Sequence, residues 1–222
     1  MRGKTGAAAA VWLRLPAVIG VAAVIMAGAA QASGFCTSPE EIAQAAQSVF
    51  RIETYDASGR NEASGSGFVA LENDILVTSC HVVVNMDSAV VTGDDGTCYQ
   101  VTGTIALDED LDIALLRLSG DFTPLVCRAE LPQRGETAAV IASPLGLLNI
   151  VTSGNICFAG TVGETQLILF TAPVSKGSSG GALFNDDGEV TGVVTGTFND
   201  TQNINVAVPI EQVIRLYEEA GT

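Results

Sequence analysis

Apolar and polar residues alternate with a period of two at 49–54, which is the pattern of a half-buried β-strand, and short apolar runs recur along the chain after it. Turn-forming residues such as Asp94-Asp95-Gly96 separate these segments. Strands are predicted about ten residues apart, at 49–54, 63–70, 75–78, 89–92, 99–107, 113–118, 137–141, 147–152, 155–161, 166–171, 182–184, 190–197 and 205–208. Short strands at this spacing indicate a barrel or a sandwich.

Helical patterns occur only near the two ends of the predicted sheet region. Ser38 as N-cap and Pro39 at the first helical position, with an acid three residues after the cap, predict one or two helical turns before the first strand. Residues 209–219 carry apolar side chains at helical spacing, which predicts a docked C-terminal helix.

The first 32 residues have the features of a signal peptide. Arg2 and Lys4 give a positive start, residues 17–30 are apolar, and Ala30-Gln31-Ala32 is an A-x-A cleavage site. An uncleaved membrane anchor is the alternative, but the apolar run is short for a span of about 20 residues. We therefore expect residues 33–222 to be exported, to the periplasm of a bacterium or outside the cell.

The charge balance restricts the partners. The chain has 10 basic and 25 acidic residues, and removal of residues 1–32 leaves seven basic and 25 acidic residues, a net charge of −18. Strong acidity disfavours nucleic acid and anionic membrane as partners. No sequence pattern indicates a metal or another cofactor, and we expect none.

The stretch Gly177-Ser178-Ser179-Gly180-Gly181 is the strongest candidate for chemistry. Gly177 allows a turn in which its amide and that of Ser179 face one spot, where a carbonyl oxygen becomes negative during acyl transfer. The alternative is an ordinary Gly/Ser-rich surface loop.

A serine nucleophile requires a base, and the chain has one histidine, His81, just after the predicted strand 75–78. The base in turn requires a carboxylate that fixes its tautomer. Asp112 stands at the head of the apolar run 113–118, where an unpaired charge would be unfavourable. The sequence thus offers Ser179, His81 and Asp112 as one constellation.

Three motifs in order resemble those of the trypsin-like serine peptidases: Thr-Ser-Cys-His-Val at 78–82, Leu-Asp-Ile-Ala-Leu-Leu at 111–116 and Gly-Ser-Ser-Gly-Gly at 177–181. Val-Thr-Ser-Gly at 151–154 and Val-Ala-Val-Pro at 206–209 are similar to the bacterial HtrA/Deg-like branch. The resemblance covers about residues 48–215. Unlike that branch, the chain is expected to carry no PDZ domain.

The resemblance implies an all-β fold of two antiparallel six-stranded barrels, about 48–122 and 125–208, with a short helix at 209–219. It implies a triad of His81, Asp112 and Ser179, with the Gly177 and Ser179 amides as the oxyanion hole. The implied activity is endopeptidase hydrolysis of polypeptide substrates through an acyl-enzyme. The alternative is a catalytically silent or latent homologue that binds peptides.

The resemblance also suggests a substrate-binding set, which consists of Ser175, Lys176, Thr195, Gly196 and Thr197. Thr195 is expected to hydrogen-bond the triad carboxylate, and the backbone at Thr197 to pair with substrate. No acid stands at the pocket base, which favours small or medium apolar residues before the cut. Lys176 would instead favour acidic residues.

All five cysteines follow the predicted cleavage site, and an exported chain with five is expected to form disulfides with one thiol left over. The spacing leaves the pairing open. Cys80 with Cys98 is one candidate pair. Resemblance to vertebrate members of the family suggests Cys36 with Cys127, and Cys157 would then be the free thiol.

Overall fold

The computed structural model describes residues 38–198 and 203–221. Helix α1, Pro39–Ala46, begins as predicted, with the Ser38 hydroxyl accepting the Glu41 amide at 3.5 Å. The first six strands are β1 Val49–Tyr55, β2 Asn61–Val69, β3 Ile75–Thr78, β4 Ser88–Thr92, β5 Cys98–Asp108 and β6 Ile113–Leu118. The short helix α2, Cys80–Val83, lies between β3 and β4.

The second half repeats this arrangement. Its strands are β7 Thr137–Ala142, β8 Ile150–Val162, β9 Thr165–Phe170, β10 Ala182–Phe184, β11 Val190–Thr197 and β12 Asn205–Pro209. A 3-10 helix, Pro144–Gly146, lies between β7 and β8, and helix α3, Ile210–Glu219, follows β12.

The two sets of strands form two closed antiparallel barrels, as the sequence predicts. Neighbouring strands follow the order β1-β2-β3-β6-β5-β4 in barrel one and β7-β8-β9-β12-β11-β10 in barrel two. The two barrels therefore have the same topology. The predicted all-β double barrel and the C-terminal helix are confirmed.

One predicted strand break is wrong. The segments 147–152 and 155–161 were expected to be separate strands, but β8 runs without interruption from Ile150 to Val162. Gly154 is a position of close approach rather than a turn, because a Cβ added there would collide with the backbone of Thr171 and Ala172. A side-chain-free residue keeps β8 continuous against the chain that follows β9.

A shared core joins the barrels. It combines fully buried side chains from barrel one, such as Val49 and Phe68, with Ile141 and Phe184 from barrel two. Helix α3 adds Val213 to the same cluster. Each barrel also has an interior cluster of its own. The barrels are thus packed through continuous apolar surface, which fixes the loops that meet between them.

The predicted Cys80–Cys98 disulfide is absent from the structure. Cys80 is buried at the start of α2, whereas Cys98 is exposed and contacts Thr92 and Gly96 in the β4–β5 turn. Cys127 and Cys157 are also free thiols. Burial raises the pKa of Cys127 to about 11, so this thiol stays protonated at neutral pH.

The predicted signal peptide, residues 1–32, and Cys36 lie outside the described residues. In the segments that the structure describes, no helix has both the length and the apolar character needed to cross a membrane.

Candidate active site

The predicted base and carboxylate are in direct contact. The Nδ1 atom of His81 lies 2.8 Å from Oδ2 of Asp112, and the backbone N–H of His81 donates to Oδ1 of the same carboxylate at 2.8 Å. The N–H of Cys80 donates to the Asp112 carbonyl at 3.1 Å. Asp112 therefore holds both the imidazole and the first turn of α2 that carries it.

The backbone of Asp112 has a φ of +58°, in the left-handed region that most residues avoid. Aspartate is among the few residues other than glycine that populate this region, because its short polar side chain can bond locally. Here the conformation directs both carboxylate oxygens at His81 just before β6 begins. The bonds to Cys80 and His81 offset the local strain.

The Asp112 carboxylate also raises the pKa of His81. The hydrogen bond to Nδ1 is the main cause, and the charge of the carboxylate acts in the same direction. Partial burial of the imidazole opposes this effect but does not cancel it. The imidazole side chain remains 52% exposed, so its far nitrogen is accessible to another group.

The predicted nucleophile turn adopts the conformation that its glycines allow. The Ser178 N–H donates to the Ser175 carbonyl at 2.9 Å, and Gly177 has a φ of +95°. A four-residue turn with a positive φ at its third residue is a type II turn, where glycine is favoured. Ser179 follows at the end of the turn and is partly buried.

Two amides of this turn have no acceptor in the part of the chain that the structure describes. The Lys176 carbonyl accepts from the Leu145 N–H at 3.1 Å, and the Ser178 carbonyl accepts from the Gly181 N–H at 2.9 Å. Because the N–H of a trans peptide points opposite to its carbonyl, the Gly177 and Ser179 amides are directed away from these contacts. Neither amide donates to any protein group within 38–198 or 203–221.

The nucleophile turn packs directly against the segment that precedes His81. A Cβ added to Gly180 would collide with the Thr78 hydroxyl, and the backbone N–H of Ser79 would lie only 3.0 Å from it. The Ser79 hydroxyl donates to the Val194 carbonyl at 3.3 Å, and the Gly180 N–H donates to the same carbonyl at 2.6 Å. The end of β3 and the serine turn are therefore neighbours across the barrel interface.

The Ser179 hydroxyl itself donates to the Thr195 carbonyl at 3.3 Å. Within the described ranges, no hydrogen bond joins this hydroxyl to His81. The structure thus brings the imidazole and its acid into contact and places the serine on the adjoining turn. The serine and the imidazole are not bonded to each other.

A cavity of about 230 Å³ adjoins Ser179 and contains most of the predicted substrate-binding set. Its lining includes Ser175, Lys176, Gly196 and Thr197. Val174 and Val194 also line it and give it apolar walls. Sequence reasoning did not predict Val194 as a wall of the pocket, because it resembles any other apolar residue of a buried strand.

The predicted bond from Thr195 to Asp112 is not present. The Thr195 hydroxyl lies 3.4 Å from the Val206 carbonyl instead. The β11–β12 register shifts between Val194 and Gly196, so Thr195 is an extra residue without a partner on β12. Such a bulge reorients the side chain, and here it turns the hydroxyl toward the neighbouring strand.

A larger cavity of about 420 Å³ lies elsewhere, between α1 and the segment 121–126. Its lining includes the acids Glu41, Asp121 and Asp187 but none of the residues to which the sequence assigns chemistry. The smaller cavity is the better candidate because it adjoins Ser179.

Comparison with known proteins identifies the family. The family model described as trypsin-like peptidase domain matches residues 65–193, which include His81, Asp112 and Ser179. This match spans more than half of the chain. The chain belongs to the trypsin-like peptidase family.

Individual relatives point to the HtrA/Deg-like branch of the trypsin-like peptidases. The chain is 34% identical over 183 residues to the serine protease HTRA1 of Xenopus laevis, with coverage of 78% of this chain and 39% of that protein. It is 32% identical over 173 residues to the putative serine protease HhoB of Synechocystis sp., with coverage of 73% and 41%. The chain thus spans about two fifths of the length of these relatives.

Solved structures of trypsin-like peptidases share the double-barrel fold. The serine endoprotease from Yersinia pestis superposes with a TM-score of 0.72 at 23% identity, over 82% of this chain and 65% of that chain. The protease Rv3671c from M. tuberculosis, in its active form, gives a TM-score of 0.73 at 25% identity, over 82% and 84% of the two chains.

Proposed function

We propose that this trypsin-like peptidase is an exported serine endopeptidase that hydrolyses peptide bonds by two-step acyl transfer. The observation that carries the proposal is the bidentate contact of Asp112 with His81. It lies next to a turn that presents Ser179 and two amides without an acceptor among the described residues. This set contains a nucleophile, a base, an orienting acid and oxyanion donors, which is what acyl transfer requires.

Asp112 accepts a hydrogen bond from the Nδ1–H group of His81. The other imidazole nitrogen, Nε2, is then free to act as the base. In this mechanism the Ser179 side chain rotates away from the Thr195 carbonyl so that its hydroxyl can donate to that nitrogen. Catalytic hydrogen bonds are often loose without substrate and tighten when it binds. His81 then takes the hydroxyl proton as Ser179 attacks the peptide carbonyl, and later returns the proton to the leaving amine.

The negative oxygen of the tetrahedral intermediate is assigned to the Gly177 and Ser179 amides. Both are unpaired in the described part of the chain, and their peptides are held from behind by Leu145 and Gly181. Donors that are oriented before the reaction lower the barrier without reorganisation. Water then repeats the sequence on the acyl-enzyme, with His81 as base again, and releases Ser179.

The substrate is assigned by strand addition to the end of β11 that extends beyond its pairing with β10, with Thr197 as a backbone partner. The residue before the cut would enter the cavity walled by Val174 and Val194. These walls favour small or medium apolar side chains over charged ones. A peptide library cut by the protein would show this preference, and a preference for acidic residues would assign the selectivity to Lys176 instead.

Export to a periplasm or an extracellular space is proposed from the signal-peptide features of residues 1–32. The proposed partner is a polypeptide substrate. The excess of 25 acidic over 10 basic residues argues against nucleic acid and anionic membrane.

The test is covalent labelling with a serine-directed fluorophosphonate, followed by cleavage of an unfolded protein. Wild-type protein should label at Ser179 and cleave, whereas Ser179→Ala should lose both, with turnover reduced about 10⁴-fold or more. Ser64→Ala is the matched control, because Ser64 is an exposed serine on β2. Full cleavage by folded Ser179→Ala would rule out the assignment.

A silent or latent peptide-binding homologue is the second candidate. The observation that favours it is the Ser179 hydroxyl, which bonds to Thr195 rather than to His81. The same labelling experiment separates the two functions, since a silent homologue would bind peptides in the cleft without reacting at Ser179.

A further inference from the structure

Ser66 is a fully buried polar residue of β2 at the interface between the barrels. The sequence gives it no assigned role, because it stands among small residues in Gly65-Ser66-Gly67. Its hydroxyl and both of its backbone polar groups nevertheless bond to residues far away in sequence. Buried polar groups are stable only when they are paired, so these bonds define what Ser66 contacts.

The Ser66 hydroxyl connects two loops of barrel two. It donates to the Gly177 carbonyl at 2.7 Å and accepts from the Ser143 N–H at 2.8 Å. The direction is unambiguous, because a carbonyl can only accept and a backbone N–H can only donate. The single hydroxyl proton is therefore directed at Gly177.

The backbone of Ser66 holds the other end of the nucleophile turn. Its N–H donates to the Ser179 carbonyl at 2.7 Å, and its own carbonyl accepts from the Thr78 hydroxyl at 2.6 Å. Ser66 thus forms hydrogen bonds to both ends of the tripeptide 177–179. Its side chain bonds to the carbonyl of the first residue and its backbone N–H to the carbonyl of the third.

We propose that Ser66 is a positioning residue that sets the angle between the Gly177 and Ser179 amides through the Gly177 carbonyl. This inference rests on the proposed function, since it concerns the oxyanion donors of the same reaction. The peptide between Gly177 and Ser178 lies between the two amides, and its rotation would change their relative direction. The Ser66 hydroxyl holds that peptide by its oxygen.

The position of the Ser66 hydroxyl is fixed in turn by a chain of bonds to the first barrel. The backbone N–H of Asn149 donates to the Ser143 hydroxyl at 3.3 Å, and this hydroxyl donates to Oδ1 of Asn149 at 3.2 Å. The Asn149 side-chain amide donates to the carbonyls of Ala46 and Val49, at 2.8 and 3.0 Å. Ser143, and with it the Ser66 hydroxyl, is therefore anchored to the end of α1 and the start of β1.

The test substitutes Ser66→Ala and measures steady-state cleavage of a peptide together with inhibition by a peptide trifluoromethyl ketone. The hemiketal oxygen of this inhibitor would occupy the place of the oxyanion. Loss of the hydroxyl frees the Gly177 carbonyl but leaves the backbone bond to Ser179. We expect kcat to fall about 10- to 100-fold with KM within about twofold, and affinity for the ketone to fall by a similar factor.

Ser48→Ala is the matched control. Ser48 is also a buried serine, in the segment between α1 and β1, and its hydroxyl donates to one loop carbonyl, that of Thr123, at 2.6 Å. The substitution removes a comparable hydrogen bond at a site outside the nucleophile turn. Its kcat, KM and ketone affinity should match those of wild type even if its melting temperature falls.

The outcomes separate the positioning role from a structural role and from the proposed function. Wild-type kcat and ketone affinity in folded Ser66→Ala would overturn the inference while leaving the peptidase assignment intact. Failure of wild-type protein to react with a fluorophosphonate would overturn the proposed function itself. If Ser66→Ala does not fold, Ser66→Cys replaces it; its weak thiol donor should lower kcat several-fold, and an unchanged kcat would overturn the inference.

Discussion

The two barrels have the same strand order but contribute different groups to the candidate active site. Barrel one supplies two side chains. The His81 imidazole comes from α2, just after β3, and the Asp112 carboxylate comes from the residue before β6. Barrel two supplies a hydroxyl and backbone amides from a glycine-rich turn. A repeated topology therefore fixes where loops meet, whereas the loop residues decide what each barrel offers.

The interiors of the barrels differ in a corresponding way. Barrel one contains a cluster of edge-to-face aromatic rings. The centroid of the Phe50 ring lies 5.0 Å from that of Phe122 and 5.9 Å from that of Tyr99. The interior of barrel two is rich in alanine, with four buried alanines: Ala138, Ala142, Ala172 and Ala207. Small side chains allow the serine turn to approach the barrel wall, where a Cβ on Gly181 would lie 2.7 Å from that of Ala142. Barrel two is thus built for close backbone approach.

The largest effect is expected from Asp112→Asn, which tests the side-chain half of this comparison. Asparagine tolerates the positive φ and can still accept the His81 backbone N–H. Its NH₂ would then donate to Nδ1, so the imidazole proton would move to the far nitrogen and block the base. We expect kcat to fall about 10⁴-fold at neutral pH with a small change in melting temperature.

Asp110→Asn is the control for that substitution, since Asp110 is an exposed acid in the turn just before Asp112. It should keep wild-type kcat. Comparable kcat in the two variants would show that barrel one does not supply the orienting acid.

A smaller but still large effect is expected from Gly180→Ala, which tests the backbone half. The added methyl would collide with the Ser66 carbonyl and the Thr78 hydroxyl, and Gly180 has a φ of +84°. We expect a loss of unfolding free energy of about 2–4 kcal/mol and loss of peptide cleavage. Denaturant unfolding and a cleavage assay measure both.

Gly103→Ala provides the contrast, because no atom of the described residues is found within 4 Å of a Cβ added to this β5 residue. Its unfolding free energy should stay within about 0.5 kcal/mol of wild type. Equal tolerance of both substitutions would mean that the serine turn does not depend on close contact with barrel one.

The smallest expected effect is on the pH dependence of cleavage. Asp112 raises the pKa of His81 above the ordinary value of 6.5, and the base must be neutral to accept a proton. The acid limb of kcat/KM should therefore have its midpoint above 6.5 and shift to lower pH in the residual activity of Asp112→Asn. A limb that does not move would assign the titration to a group other than His81.

The stability contribution of the same pair has the opposite pH dependence. Because the folded-state pKa is raised, the pair stabilises the fold fully below the ordinary value and loses this contribution as pH rises through the folded pKa. Cleavage thus increases over the pH range in which the ion pair ceases to stabilise the protein.

Most of the fold could be predicted from sequence because its strands are short, rich in apolar residues and separated by turns that carry Gly, Asp and Asn. Helix α2 could not, since four residues are too few to show a helical period. The continuity of β8 was missed because Gly154 has the same local appearance at a turn and at a site of close approach. Local patterns record secondary structure, and contacts between distant strands leave little trace in them.

The candidate site residues were predicted from short motifs whose residue types suit acyl transfer. Ser66 was not, because its partner Gly177 lies 111 residues away and neither residue marks the contact locally. The Thr195 hydroxyl was assigned to the wrong partner because a one-residue bulge in β11 is invisible in an apolar, threonine-rich run. Register and side-chain direction are properties of the assembled sheet.

The apolar cluster that includes Phe68, Ile141 and Val213 draws its members from both barrels and the C-terminal helix. Neither barrel can be separated from the other without exposing its apolar share of this cluster to water. Replacement of one barrel by that of a homologue would therefore succeed only if the cluster residues of both barrels were transferred together. The protein should also unfold as one cooperative unit.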